Sequence, residues 1–325
     1  MNTRHAEKSW ADRNEAACAG GASGLLHEFA THHLSVETSL GRIYGRDDWV
    51  AALIRERTGL TVEAVARSEA WVGPSVPGEA VVLELDARVR HTGASAIFGA
   101  ATGRQAVLSS AMVGLLSGPR IFRAWRFAGY GAAARGLGVD IDGRASALAR
   151  ELPKRGGIPW EFGEVRSALG QVAPPAVSPA LPGLPAEHAA ACLDLQTAWN
   201  RRRLDEAAAL YANDARRLVN GAEVTADVTL HPWSQILQTC PDAVLLFEVA
   251  ASKGREDGSQ AVAVVWRWVG MHSGGGFGTP CRRRLHIRGI SVLHVHDSRI
   301  ASERIVFDEI ACRRDAVLRS NETLG

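Results

Sequence analysis

The second half of the chain carries its apolar residues in strand-sized blocks, at 243–251, 260–270, 285–296 and 299–307. These blocks are rich in Val, Ile, Leu and Trp, the side chains that suit a pleated, buried surface, and they predict four β-strands. Asp297 and Ser298 make a tight connection between the last two. A plain two-residue turn there would set His294 opposite Ala301 and Asp308 opposite Ile287. Ahead of the strands the period changes. Ala191, Leu195, Trp199, Leu204, Ala208 and Leu210 recur at near-helical spacing and predict two short amphipathic helices over 187–211. A further helix follows Pro232 through Trp233, Ile236 and Leu237, and its counterpart over 47–56 carries Trp49, Leu53 and Ile54. Each half thus opens with helix and closes with strand, which predicts an α+β fold in which a curved antiparallel sheet packs on N-terminal helices around an apolar pocket.

The same motifs occur twice in one order. Arg90-His91-Thr92-Gly93 leads to Phe98-Gly99, Arg104, an apolar strand and Gly118-Pro119-Arg120-Ile121, while Met271-His272-Ser273-Gly274 leads to Phe277-Gly278, Arg283, a strand and Asp297-Ser298-Arg299-Ile300. Phe98 to Arg120 and Phe277 to Arg299 both span 22 positions. We read a tandem duplication. A first domain is expected over 11–155 and a second over 187–315. The connecting segment, 156–186, includes a Pro-rich stretch at 172–185 that forbids helix.

Composition narrows the function classes. The 325 residues suffice for two cores, and a net charge of +2 provides no field to hold a nucleic-acid backbone or an anionic membrane. Five cysteines without a C-x-x-C pair read as free thiols in a reducing compartment. The N-terminal residues are charged and polar, and no apolar run reaches the roughly 18 residues of a membrane span. A cytoplasmic protein is expected.

The segments "PDAVLLFEVAASKGREDGSQAVAVVWRWVGMHSGGGFG" and "RGISVLHVHDSRIASERIVFD" of the second half resemble the SnoaL-like polyketide (ester) cyclase family of the nuclear transport factor 2-like superfamily. "YGRDDWVAALI" and "RHTGASAIFGAATGR" carry a weaker resemblance into the first half. The resemblance implies a cone-shaped α+β barrel for each half. It also implies an acid/base Asp near the end of the last strand, which falls on Asp308. A carboxylate held against an apolar pocket can take a proton beside a carbonyl and return it without a cofactor. Nine positions beyond the turn arginine lies Asp308 in the second half but Gly129 in the first, so the first domain is expected to be catalytically silent.

His272 sits in the His-x-Gly segment that, by the resemblance, caps the pocket, where an imidazole can polarise a carbonyl or orient the acid. His294 and His296 share one strand face, yet no third ligand accompanies them; no metal is expected, and His294 stands as a further catalytic candidate beside Asp308 and His272. Trp233, Phe247, Trp266, Trp268 and Phe277 are candidates for an aromatic wall against a flat substrate, with ordinary core packing as the alternative. The glycines at 274–278 precede no helix and fail the phosphate-loop context. These residues point to a proton-transfer enzyme that cyclises, dehydrates or isomerises a small apolar or aromatic carbonyl metabolite. The alternatives are a noncatalytic binding or assembly protein and a hydrolase using a pocket-bound water. In all three the two domains are expected to pack sheet to sheet as an intramolecular pseudodimer, with a homodimer of the whole chain also open.

Overall fold

A computed structural model describes residues 3–18, 21–76, 78–151, 181, 184, 186–225, 227 and 231–321. The expected Pro-rich connection at 172–185 lies outside the described residues apart from Leu181 and Leu184.

The first half comprises α1 (Thr3–Cys18), α2 (Leu26–Phe29), β1 (Ala30–Thr38), β2 (Gly41–Tyr44), α3 (Arg46–Arg57), β3 (Leu60–Ser75), β4 (Gly78–His91), β5 (Gln105–Ser117), β6 (Arg120–Ala128), α4 (Tyr130–Leu137) and α5 (Ile141–Glu151). The second comprises α6 (Ala186–Asn200), α7 (Leu204–Ala209), β7 (Tyr211–Val219), β8 (Ala222–Val224), α8 (Pro232–Thr239), β9 (Val244–Gly254), β10 (Gln260–Met271), β11 (Arg284–His296), β12 (Arg299–Phe307) and α9 (Glu309–Asn321). Each half builds one six-stranded sheet, ordered β2-β1-β6-β5-β4-β3 and β8-β7-β12-β11-β10-β9. The two orders are the same, as a duplication requires.

Three features differ from the sequence reading. The sheets are mixed rather than antiparallel throughout, because β1 runs parallel to β6 and β7 parallel to β12. The strands involved were hidden by polar residues such as His32, His33, Asn213 and Asp214, which blur the alternation. Each half also closes on helix: α4 and α5 follow β6, and α9 follows β12. Finally, a bulge at Ala301 shifts the last hairpin. Asp297 and Ser298 both take positive φ, as a tight hairpin turn demands, and Val295 pairs with Ile300. His294 then pairs with Ser302 and Phe307 with Gly289, so Asp308 lies just beyond the last paired residue instead of opposite Ile287.

The repeated motif is repeated in its hydrogen bonds. His91 N–H donates to Arg104 C=O at 2.9 Å and Gly103 N–H to His91 C=O at 2.9 Å; His272 and Arg283 match at 2.9 Å, and Arg282 and His272 at 3.1 Å.

The sheets meet through their outer faces. Trp71, Val82, Val113 and Trp125 of the first pack in one cluster with Ala251, Val265, Ile290 and Val306 of the second. Burial on both faces explains the near-continuous apolar run of β10 from Ala261 to Val269, interrupted by Arg267. Ion pairs stitch the rim: Arg288 to Glu37, Arg304 to Asp86, and Arg255 with His294 to Glu69. At Gly73 the backbones approach so closely that a Cβ would stand 1.9 Å from Ser252 C=O. The two sheets therefore pack face to face within one chain.

Candidate active site

Asp308 follows β12 as the residue just before α9. It is 2% exposed, and its Oδ1 accepts the N–H of Ile310 at 3.0 Å, which caps the helix. The same oxygen accepts Gly131 N–H of the first domain at 3.2 Å, while Oδ2 has no hydrogen-bond partner. Burial pushes the carboxyl up to about 7, against the opposing field of Arg314 and the backbone donors. Asp308 is thus half-ionised near neutral pH, and it sits at the seam between domains.

The matching Gly129 precedes α4. A Cβ there would stand 2.7 Å from the Asn220 side chain, whose Oδ1 accepts Phe307 N–H at 3.1 Å. The second domain occupies the space that a first-domain carboxylate would need.

The interior of the second cone is filled with aromatic rings. Trp199, Trp233, Trp266 and Trp268 pack edge to face with centroids 5.6 to 6.4 Å apart. These four and Phe277 are fully buried, and the partly buried Phe247 packs on Trp233 at 6.5 Å. The structure thus brings together the aromatic residues singled out in the sequence, as the packed core of this domain. Arg267 points away from them and pairs with Glu248 at 3.4 Å.

The histidines part company. His272 is fully buried, its Nδ1 accepts Cys281 N–H at 3.4 Å, and its Nε2 has no partner. Burial holds its pKa below the usual histidine value, outweighing the backbone hydrogen bond at Gly274, so it is neutral at pH 7. His91 repeats this arrangement, with Nδ1 3.4 Å from Thr102 Oγ1 and its ring edge-on to Phe98. His294 lies on the opposite side of the sheet, at the seam, 2.9 Å from Glu69 Oε2 and 3.1 Å from Arg255. The structure does not bring His272, His294 and Asp308 into one constellation. Among the described residues no group of three or more His, Cys, Asp or Glu could hold a metal ion.

Two polar clusters escaped the sequence reading. Inside the second cone Glu303 Oε2 accepts Tyr211 O–H at 2.6 Å, stands 3.1 Å from His231 Nε2, and takes Arg217 Nε at 3.4 Å. Burial works against charge on Glu303, but the ring N–H of His231, the Arg217 guanidinium and the Tyr211 hydroxyl bonded to it hold its pKa below the usual value. His231 is itself kept neutral by burial, with Trp199 and Trp233 rings 5.0 and 4.8 Å away.

The other cluster borders a cavity of about 460 Å³ in the first domain, between α3, the β1–β2 hairpin, β6 and α5. Arg126 holds Glu56 through two bonds of 2.7 and 2.9 Å. Burial opposes the charge on Arg126, and Glu56 outweighs it. Tyr130 is hydrogen-bonded to Glu56, and burial followed by that carboxylate's charge keeps its phenol protonated. Arg314 also lines the cavity, although it belongs to α9 of the second domain. The only early signal for this site was Trp49 and Leu53 on the helix of 47–56; the Glu56 and Arg126 partners lie 70 residues apart.

Comparison with protein families matches residues 189–316 to the SnoaL-like polyketide cyclase profile. Similar solved structures include AclR from Streptomyces galilaeus, with 22% identity over 42% of this chain and 97% of that one and a TM-score of 0.35. A SnoaL-like polyketide cyclase, so assigned, from Jannaschia sp. CCS1 gives 13% identity, 42% and 96% coverage and 0.34. A protein with a ketosteroid isomerase-like fold from Catenulispora acidiphila gives 15%, 43% and 96%, and 0.33. Comparison with curated proteins gives no match. Residues 189–316 thus match the SnoaL-like polyketide cyclase family model, and the first half repeats the strand order of that region.

Proposed function

We propose that the chain is a cofactor-independent proton-transfer enzyme of cyclase or isomerase type, acting on a small carbonyl-containing metabolite with Asp308 as the exchangeable acid. The supporting observation is a buried carboxyl whose pKa is raised to about 7 and whose Oδ2 is without a partner. Such a group gives and takes protons at physiological pH with little driving force lost in either direction. Asp308 feels Arg314, and Tyr130 feels Asp308; both of these neighbours line the first-domain cavity.

A second reading is a noncatalytic binding or assembly protein. It is favoured by the two backbone N–H groups already bound to Asp308 Oδ1 and by the tryptophans that fill the second cone. Asp308→Asn separates the readings because the amide oxygen can still accept both N–H groups while the acid is lost. With a 1,3-diketone probe in deuterated buffer, the enzyme reading expects wild-type protein to wash deuterium into the carbon between the carbonyls. It expects Asp308→Asn to lose about 100-fold or more of this rate with the fold intact. Exchange no faster than buffer in the wild type would leave the binding reading standing, and catalysed exchange equal in both proteins would remove Asp308 as the acid.

A further inference from the structure

The cation that finishes the first-domain cavity comes from the other half of the chain. Arg314 is 1% exposed, its Nη2 donates to Ser39 C=O at 3.3 Å in the β1–β2 turn, and its Nε donates to Asp315 Oδ1 at 2.8 Å. Its Nη1 is buried without a hydrogen-bond partner. A guanidinium N–H in that state is costly, because a desolvated charged donor forgoes a bond worth more than a neutral one. The other cations around the cavity are engaged or outside: Arg126 is held by Glu56, Arg42 by Glu37 at 3.1 Å, and Arg55 is exposed.

The remaining wall suits a flat apolar body. Leu40, Trp49, Ile97 and Leu148 line it, and about 460 Å³ lies within the range of small-molecule sites. The carboxylates Asp48 and Glu151 border the cavity as well. Bulk field therefore does not attract an anion, and recognition has to come from a directed hydrogen bond.

We propose that this cavity is a composite ligand site, built by the first domain and completed by Arg314 of the second, for a small flat carbonyl compound bearing a carboxylate or enolate oxygen. The carbonyl class rests on the function proposed above; occupancy of the site does not, since binding is read without turnover. Arg314 Nη1 meets the anionic oxygen and the apolar wall takes the ring. The half expected to be silent then holds the ligand, and neither half has a complete site alone.

The test is calorimetric titration of the full chain with 2-naphthoate, and with neutral 2-acetylnaphthalene as its uncharged counterpart. Wild-type protein is expected to bind one 2-naphthoate per chain. Arg314→Met should weaken 2-naphthoate by about 10-fold or more and leave 2-acetylnaphthalene within about twofold. Asp315→Asn, which removes the carboxylate competing for Arg314, should tighten 2-naphthoate alone. Ala52→Phe, which fills the cavity from α3 and alters no charge, should weaken both probes. Absence of 2-naphthoate binding at millimolar concentration overturns the proposal, as does binding that Ala52→Phe leaves unchanged. Should Arg314→Met fail to fold, an unaltered 2-naphthoate affinity in Asp315→Asn overturns the role of Arg314. Binding as expected without deuterium exchange would keep the site and remove the proton-transfer chemistry.

Discussion

The two cones have one topology and different contents. Six positions past the turn arginine, the strand residue facing the interior is Arg126 in the first half and Ile305 in the second; four positions past it, the pair is Ala124 and Glu303. In the first cone Arg126 and Glu56 stand beside open space, and in the second Glu303 is sealed under tryptophan. What the halves kept in common is the His-x-Gly turn, the strand order and the close sheet-to-sheet contact. After a duplication the seam constrains both copies, because each outer face must fit the other, while each interior is free to change alone. The match to the cyclase profile covers the second half, and the cavity lies in the first.

The comparison can be broken by experiment. The largest effect is expected in the second cone, where Trp266→Ala should cost about 3–5 kcal/mol by urea denaturation, with its Nε1 bond to Ser291 also lost. A cost below about 1 kcal/mol would mean that this cone is not the packed core described.

Asp308 gives the next effect, and its sign is fixed by its pKa. The folded carboxyl is raised above its ordinary 3.8 to about 7, so its contribution to stability is complete below pH 4 and is lost as pH rises toward 7. Asp308→Asn removes that dependence. The difference in stability between variant and wild type should move in the variant's favour from pH 4 to pH 8, by on the order of a few kcal/mol. Glu84, buried at the seam and raised to about 8 by burial, adds a decline of the same sign to both proteins. A difference that stays constant with pH would show that Asp308 is ionised throughout.

The smallest effects come from adding bulk. Ala198→Leu overfills the second cone and should cost about 1–3 kcal/mol. Ala52→Leu points a similar volume at the first-domain cavity and should cost less than about 0.5 kcal/mol. Equal costs would erase the distinction between a filled cone and an open one.

Sequence alone made much of the fold legible. Pro232 at the start of its helix and the strands of the closing meander follow from local chemistry that needs no distant partner. The likeness of the two halves was visible because His91 with Phe98 and His272 with Phe277 are fixed by short-range turns. The early strands β1 and β7 were not legible, since each pairs in parallel with a strand far along the chain and carries polar residues where the alternation should show. The terminal helices were also passed over, although Gly138 at φ 70 closes α4 in the usual way. For the site, position singled out Asp308 as a candidate, but whether it faces a cone or a seam was decided by the bulge at Ala301 and by Gly131 in the other half. Arg314 bordering the first-domain cavity has no sequence signal at all, because it depends on how two separately folded sheets dock.

Translation order gives the sheet-to-sheet contact a cost of its own. Trp71, Val82, Val113 and Trp125 leave the ribosome well before the strands that will cover them, and the last of those, β12, ends at Phe307. At about 5–20 residues per second, this greasy surface stays bare for roughly ten seconds or longer. During that interval the nascent polypeptide carries a bare apolar face of the kind that makes incompletely folded chains prone to aggregate.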